Sequence, residues 1–523
     1  MWDWNFIFLI VPLKGVGDVR LSDLLETSIS EFGEYPFLHF KEKQYTNMEC
    51  KMFADQFAGG LKKHGIAVGD RVIVCMPNCP EVIFAYQGIT RSGAIIVPVM
   101  FTLHPKELHY IALNSGAKAV ITSSLILGNV EKALEGLSSQ PLVVVVDQPT
   151  NEGRLNFYDV KGKDSFVSRS EGREDDTAVI LYTSGTTGNP KGVLLTHKNL
   201  TSNAQNSLNH NKLERGTTIG VLPLAHVYGL TISNICLLVG SSIVIFSTFD
   251  TGEVFKAIEK YGVKNFSAVP AMIHALVSYP YADQYNTSSL ESVSSGSAPL
   301  PVALLHAFEK KFGAKVYEGY GLSEAAPIVT AHKDGIEIKP GSVGIPIPGV
   351  EVKIVDDHGN EAACGEVGEL CVRGENVTPG YYQNVEESRK VLIDSWLHTG
   401  DMARMDDEGY VYIVDRKKDL IIRGGFNVYP RDVEEILNTH ETVSEVAVVG
   451  VPDEKMGEEM VACVVVKPGA VVSEEELIRF CQEHVAKNKT PRRIVFLETL
   501  PRNGVGKILK THLRKTVAEI EVK

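Results

Sequence analysis

Uninterrupted apolar runs are the strongest constraint on the fold of this chain. Residues 72–76 (Val-Ile-Val-Cys-Met), 94–99 (Ala-Ile-Ile-Val-Pro-Val), 119–122 (Ala-Val-Ile-Thr) and 142–147 (Leu-Val-Val-Val-Val-Asp) lack the apolar/polar alternation of a strand with one wet face. Such runs fit strands covered on both faces, and the helix-like stretches between them supply the cover, so the pattern predicts doubly wound parallel sheets. The rhythm resumes at residues 242–246 and 265–269, around a helix near 254–260. Between about 341 and 414 it changes. Short alternating strands such as 350–355 and 368–373, separated by Gly, Pro and Asp, predict a small antiparallel β-subdomain.

A second shift falls at the charged stretch Asp415-Arg-Lys-Lys-Asp419. Beyond it the sequence predicts a compact α+β set: a helix from Pro430, strands at 446–449 and 461–466, a helix over 473–484, a strand at 494–497 and a last helix after Lys507. The 523 residues exceed the roughly 250–300 at which one core stops growing. Two domains are therefore expected, residues 1–415 and a smaller, mobile one at 416–523. No internal repeat or low-complexity tract interrupts them.

Composition is that of an ordinary globular protein, 44% hydrophobic and 22% charged. A net charge of -13 argues against a nucleic-acid partner, and means that a bound polyphosphate needs local cations. The eight cysteines are scattered without zinc spacing, which reads as free thiols in a reducing, cytoplasmic setting. The apolar N-terminus, residues 1–12, has an acid and no cleavage site, so it is not read as a secretory signal; it is too short to span a bilayer and no later stretch is long enough. It is expected to pack on the body of the protein. The alternative, peripheral contact with a membrane, lacks flanking basic residues.

The chemistry concentrates in Thr183-Ser-Gly-Thr-Thr-Gly-Asn-Pro-Lys191-Gly192, flanked by apolar strands at 177–182 and 193–196. A Walker loop would place Gly-Lys-Ser/Thr together and open a helix. Here Pro190 precedes the lysine and Gly192 follows it, so the expectation is a strand–flap–strand that folds hydroxyls and amides over a polyphosphate.

This flap resembles the signature of the adenylate-forming (AMP-binding) superfamily, which includes acyl-CoA synthetases, luciferases and peptide-synthetase adenylation domains. Further segments agree in order: Tyr320-Gly-Leu-Ser-Glu-Ala325, Trp396-Leu-His-Thr-Gly-Asp401, Asp415-Arg-Lys-Lys-Asp419 with its continuation to Gly425, and Pro501-Arg-Asn-Gly-Val-Gly-Lys507. The resemblance runs from about residue 20 nearly to the C-terminus. It implies activation of a carboxylic acid by ATP to an acyl-adenylate, then transfer to the thiol of coenzyme A with release of AMP.

Residue roles follow from the resemblance. Thr183, Ser184, Gly185, Thr186, Thr187, Gly188 and Lys191 would hold the departing phosphates, and Glu324 would help to hold Mg2+. Ser323 stands where the family usually has threonine. Ser297, Ala298, Pro299, Glu318, Gly319, Tyr320 and Gly321 would frame the adenine, while Asp401 and Arg416 would take the ribose. Lys507 would bridge carboxylate and α-phosphate, and Lys418 would be the hinge. Arg423, Gly424 and Gly425 would serve thioester formation. His226, Val227, Gly229, Val269, Gly296 and Gly321 are expected to line the acyl pocket, His226 as a gate or packing residue, since a carboxylate needs no deprotonation at neutral pH. The small and apolar neighbours, together with Phe426-Asn-Val-Tyr-Pro430, point to a medium- or long-chain fatty acid. An aryl acid, transfer to a carrier protein, luciferase-type oxygenation and a catalytically dead nucleotide sensor are the alternatives.

Overall fold

The computed structural model describes residues 19–521 apart from 152, 161–171, 184–188 and 504–506. The apolar N-terminal segment and the flap residues Ser184, Gly185, Thr186, Thr187 and Gly188 thus lie outside the described residues. The uninterrupted apolar runs form a seven-stranded sheet ordered Arg154–Asn156, Leu142–Val145, Ala119–Thr122, Arg71–Cys75, Ile95–Pro98, Thr177–Thr183, Lys191–Thr196. All neighbours are parallel except the last pair, the two strands that flank the flap. Val72 and Val74 enter one core with Ala54 and Phe57 of the helix Asn47–Lys63. Ile73 and Cys75 enter another with Leu108 and Val130 of the helices Pro105–Ser115 and Leu127–Leu134. Burial on both faces is why these runs show no alternation.

A second sheet has Asn265–Ala268, Ser292–Ser295 and Lys315–Gly321 in parallel, continued by antiparallel Ile328–Ala331 and Ile345–Pro346. A third sheet was not anticipated: Thr217–Gly220, Ser242–Ile245 and Pro36–Phe40 run parallel, with Lys43–Thr46 antiparallel at the edge. The antiparallel subdomain is present as Val350–Val355, Gly368–Gly374, Trp396–Met405, Leu392–Ile393 and Val411–Arg416.

The C-terminal α+β set builds its own cores. Val446, Val448, Met460 and Val464 pack on the helices Pro430–Asn438 and Glu474–His484, through Val433, Leu437 and Leu477. Ala447, Val449, Val461 and Cys463 face the other way, against Leu513 and Val517 of Lys510–Glu521. Ser473 lies just outside its helix as the N-cap, accepting from the Glu476 amide at 3.2 Å.

Arg91 carries a stability prediction. Only 2% exposed, it forks onto Glu26 at 2.6 and 2.7 Å and reaches Asp55 at 2.8 Å, joining three helices. Its loss would strand two half-buried carboxylates that Lys51 also approaches. Arg91→Met is expected to destabilise by about 2 kcal/mol, less than a fully buried pair would cost. Urea unfolding would read this as a lower midpoint with an unchanged slope.

Candidate active site

The flap stems are held from outside their sheet. Thr183 pairs with Lys191 across the hairpin. Residues 378–382 lie along the second stem: Leu194 N–H donates to Gly380 O at 3.0 Å, Tyr382 N–H to Gly192 O at 2.7 Å, and Thr378 Oγ1–H to Leu194 O at 2.5 Å. This places Tyr381 between Lys191 and Glu324. The Lys191 ammonium lies 5.5 Å from the Tyr381 ring centre, and the Tyr381 hydroxyl donates to Glu324 Oε1 at 3.0 Å. Burial raises the pKa of Glu324, and the Tyr381 hydrogen bond opposes that shift.

Tyr320 and Asp401 also meet directly. The Tyr320 hydroxyl donates to Asp401 Oδ2 at 2.5 Å, and Arg416 Nε lies 3.5 Å from Asp401 Oδ1. Burial and then Asp401's negative charge drive the Tyr320 pKa strongly upward. Asp401 and Arg416 are register partners in adjacent strands, which fixes their pairing. Ser297 bends the chain after its strand at φ +70°, a conformation uncommon for a side-chain-bearing residue. Glu318 is 4% exposed. Burial lifts its carboxyl to about 7, and the Arg431 charge opposes that rise.

The C-terminal set closes over this centre. Arg431 donates from Nη1 to Ile413 O at 2.5 Å, and its backbone N–H donates to Asp415 Oδ2 at 3.1 Å. Asn503 and Lys507 close the loop on each other: Lys507 N–H donates to Asn503 Oδ1 and Asn503 N–H to Lys507 O, both at 2.9 Å. The Lys507 side chain lines the cavity with Asp401, Arg416 and His226. Burial first, then Arg416's positive charge, lower its pKa to about 8, while Asp401 and Asp419 act the other way. His226 is pushed down to about 4 by burial and by Lys507, and its Nδ1 accepts from the Tyr228 amide at 3.3 Å. It is a neutral helix cap at the cavity wall. With Lys507 as the adenylation lysine that the sequence resemblance implies, its ammonium exists below its pKa, so kcat/KM for adenylation is expected to be retained below pH 8 and to fall as pH rises through about 8. A pH–rate profile for pyrophosphate exchange checks this.

One continuous cavity of about 2230 Å³ contains Thr183, Lys191, His226, Val227, Val269, Gly296, Ser297, Ala298, Pro299, Glu318, Gly319, Tyr320, Gly321, Ser323, Glu324, Asp401, Arg416, Lys418 and Lys507. From Gly296 and Gly319 it runs back along the second sheet. Phe266, Val293 and Val316 face the apolar core. The alternate positions Ser267, Ser292, Ser294 and Gly319 line the cavity. The helix Val227–Val239 lines the cavity as well, with Val227, Tyr228, Ile232, Ile235, Cys236 and Val239, and the Tyr228 hydroxyl reaches across to the floor residue Ser267.

Four expected site residues lie off the cavity, three of them residues expected to reach it only when the C-terminal domain turns about its hinge. Gly229 does not line the acyl cavity: a Cβ there would be 2.2 Å from Pro223 O, so glycine serves the close entry of the helix. Arg423, Gly424 and Gly425 are not on the cavity wall either. Arg423 pairs with Glu459 at 2.8 Å and donates from Nη1 to Asn488 O and Thr490 O at 3.0 Å each, which ties its charge inside the C-terminal set. Gly424 and Gly425, at φ +58° and +84°, form the exposed turn beside it. Tyr381 and Glu387 were missed, since neither Pro379-Gly-Tyr-Tyr382 nor the charged run Glu386-Glu-Ser-Arg-Lys390 says which distant residue it will meet. The serine floor was legible as the alternation Ser292-Val-Ser294 before Gly296.

The family comparisons agree with this geometry. The model described as AMP-binding enzyme matches residues 25–382, and that described as AMP-binding enzyme C-terminal domain matches 432–507. A long-chain-fatty-acid–CoA ligase of Bacillus subtilis (strain 168) is 37% identical over 95% of each chain. A 4-coumarate–CoA ligase 1 of Solanum tuberosum is 36% identical over 94% of this chain and 92% of that one. The solved anthranilate CoA ligase AuaEII in complex with anthranoyl-AMP superimposes with a TM-score of 0.91 at 29% identity, covering 97% of this chain and 98% of that one. The chain belongs to the AMP-binding enzyme family and is an AMP-forming acid–CoA ligase.

Proposed function

We propose that the acid is a medium- or long-chain fatty acid. The carrying observation is the cavity behind Gly296, lined by the small side chains Ser267, Ser292 and Ser294 and by Ile232, Ile235, Cys236 and Val239 of the facing helix beyond Tyr228. From Val227 to Val239 that helix rises about 18 Å. An extended carbon chain advances ~1.25 Å per bond, so one of about fourteen bonds spans such a length. Each buried methylene contributes about 0.8 kcal/mol, so kcat/KM rises up to about fourfold per methylene until the cavity is filled.

In this reading Lys191 and the flap hydroxyls take the departing pyrophosphate, Asp401 and Arg416 the ribose, and Tyr320 with Ser297, Ala298 and Pro299 the adenine. Lys507 neutralises the approach of carboxylate to α-phosphate. Glu324 is a fitting ligand for Mg2+, one buried carboxylate with one oxygen already fixed by Tyr381, because magnesium keeps waters and takes phosphate oxygens besides. When bound, the metal would offset polyphosphate charge. Residues 416–523 would then turn about Lys418, withdraw Lys507 and bring the exposed Gly424–Gly425 turn to the site for coenzyme A. The cytoplasm is the setting that fits free thiols and free coenzyme A.

The test is CoA-dependent AMP release with a series from butyrate to stearate, and with 4-coumarate, for the wild type and Ser294→Phe. The expected wild-type rate climbs with chain length until the cavity is filled and then levels off. A phenyl ring at 294 blocks the floor and lowers the rate with stearate at least about tenfold while butyrate is spared. A preference for 4-coumarate, or equal loss with every acid, would overturn the fatty-acid reading.

A further inference from the structure

Lys191 does not wait unpaired at the end of the flap. Its ammonium forms a close ion pair with Glu387 Oε2, and both side chains are largely buried, at 17% and 23% exposure. The other oxygen of Glu387 binds Lys390 at 2.6 Å, and Lys390 is 66% exposed. Glu387 lies in the first turn of the helix Val385–Val391, whose N-cap Asn384 accepts from the Glu387 amide at 3.2 Å. The same segment carries Tyr381, over whose ring Lys191 sits. One short element therefore supplies both a counter-ion and an aromatic seat for the flap lysine.

We propose that Glu387 is the resting counter-ion of Lys191, displaced by the polyphosphate when nucleotide binds and restored when pyrophosphate leaves. This rests on the reading of Lys191 as the cation for the departing phosphates. The carboxylate cannot stay paired with Lys191 while that ammonium turns to a phosphate oxygen, and an anion left beside a polyphosphate repels it. Lys390 is the device that makes the exchange inexpensive, because Glu387 keeps one cation after Lys191 moves. A nucleotide whose binding requires the pair to open has its apparent affinity reduced by the fraction of molecules in which the pair is open. The same factor weakens pyrophosphate, so the pair would speed release of that product.

The experiment is calorimetric titration of the full-length protein with MgATP, and separately with magnesium pyrophosphate, without acid or coenzyme A. Glu387→Gln is expected to tighten both ligands by about three- to tenfold, the scale of a partly exposed ion pair. Lys390→Met is expected to act in the opposite sense, weakening both by about twofold, because Glu387 then has Lys191 alone. In a Lys191→Ala background the gain from Glu387→Gln should vanish. Unchanged or weaker binding in Glu387→Gln, or a gain that persists without Lys191, would overturn the exchange. Failure of the wild type to bind MgATP would instead sink the underlying reading of Lys191.

Discussion

Lys507→Ala is expected to lower carboxylate-dependent ATP–pyrophosphate exchange about a hundred- to a thousandfold, while supplied acyl-adenylate is still converted to the thioester at close to the wild-type rate. The adenylation step brings two anions together, and Lys507 is the ammonium that the C-terminal set places on the cavity wall beside Asp401 and Arg416. Two reciprocal hydrogen bonds join Lys507 to Asn503. On this reading the loss on truncation falls on the transition state rather than on binding. Substrate affinity should change much less than kcat. Equal loss of both half-reactions would mean that the lysine supports the site as a whole, not the adenylation step alone.

Asp401→Ala is expected to reduce kcat/KM for ATP by about a hundredfold, with a small change in KM for the acid. The Tyr320 hydroxyl makes a charge-assisted hydrogen bond to this carboxylate, of about 1.5–3 kcal/mol, and Arg416 adds a partly exposed ion pair at 3.5 Å, of about 1 kcal/mol or less. The substitution has a second, independent signature. Asp401 and Asp419 hold the Lys507 pKa up while Arg416 and Lys418 push it down, so removing Asp401 leaves that repulsion opposed by Asp419 alone. The alkaline fall in adenylation should therefore begin at lower pH than in the wild type. An unshifted alkaline limb would show that Asp401 and Lys507 are not electrostatically linked in the working enzyme.

The sequence carried the main features of the fold because both its signals were local. Continuous apolar strands reported two-sided burial, and Ser473, Thr183 and Lys191 sit at or beside the ends of their elements. What sequence could not supply were pairings between distant segments. Pro36–Phe40 lies beside Ser242–Ile245, and nothing in either run specifies the other. Glu387 is one of two adjacent glutamates, and only the fold decides that it meets Lys191. Gly229 and Arg423 show the converse limit: a motif gives their residue type without saying which neighbour needs it. Gly229 answers to Pro223, and Arg423 to Glu459 and two backbone carbonyls.

The most direct test of the whole account is ATP–pyrophosphate exchange without coenzyme A, across short, medium and long fatty acids and several aryl acids. Exchange that depends on a fatty acid and strengthens with its length, followed by AMP release when coenzyme A is added, is the expected result. MgATP binding with no exchange for any carboxylate would contradict it, and would leave a nucleotide-binding protein without adenylation chemistry.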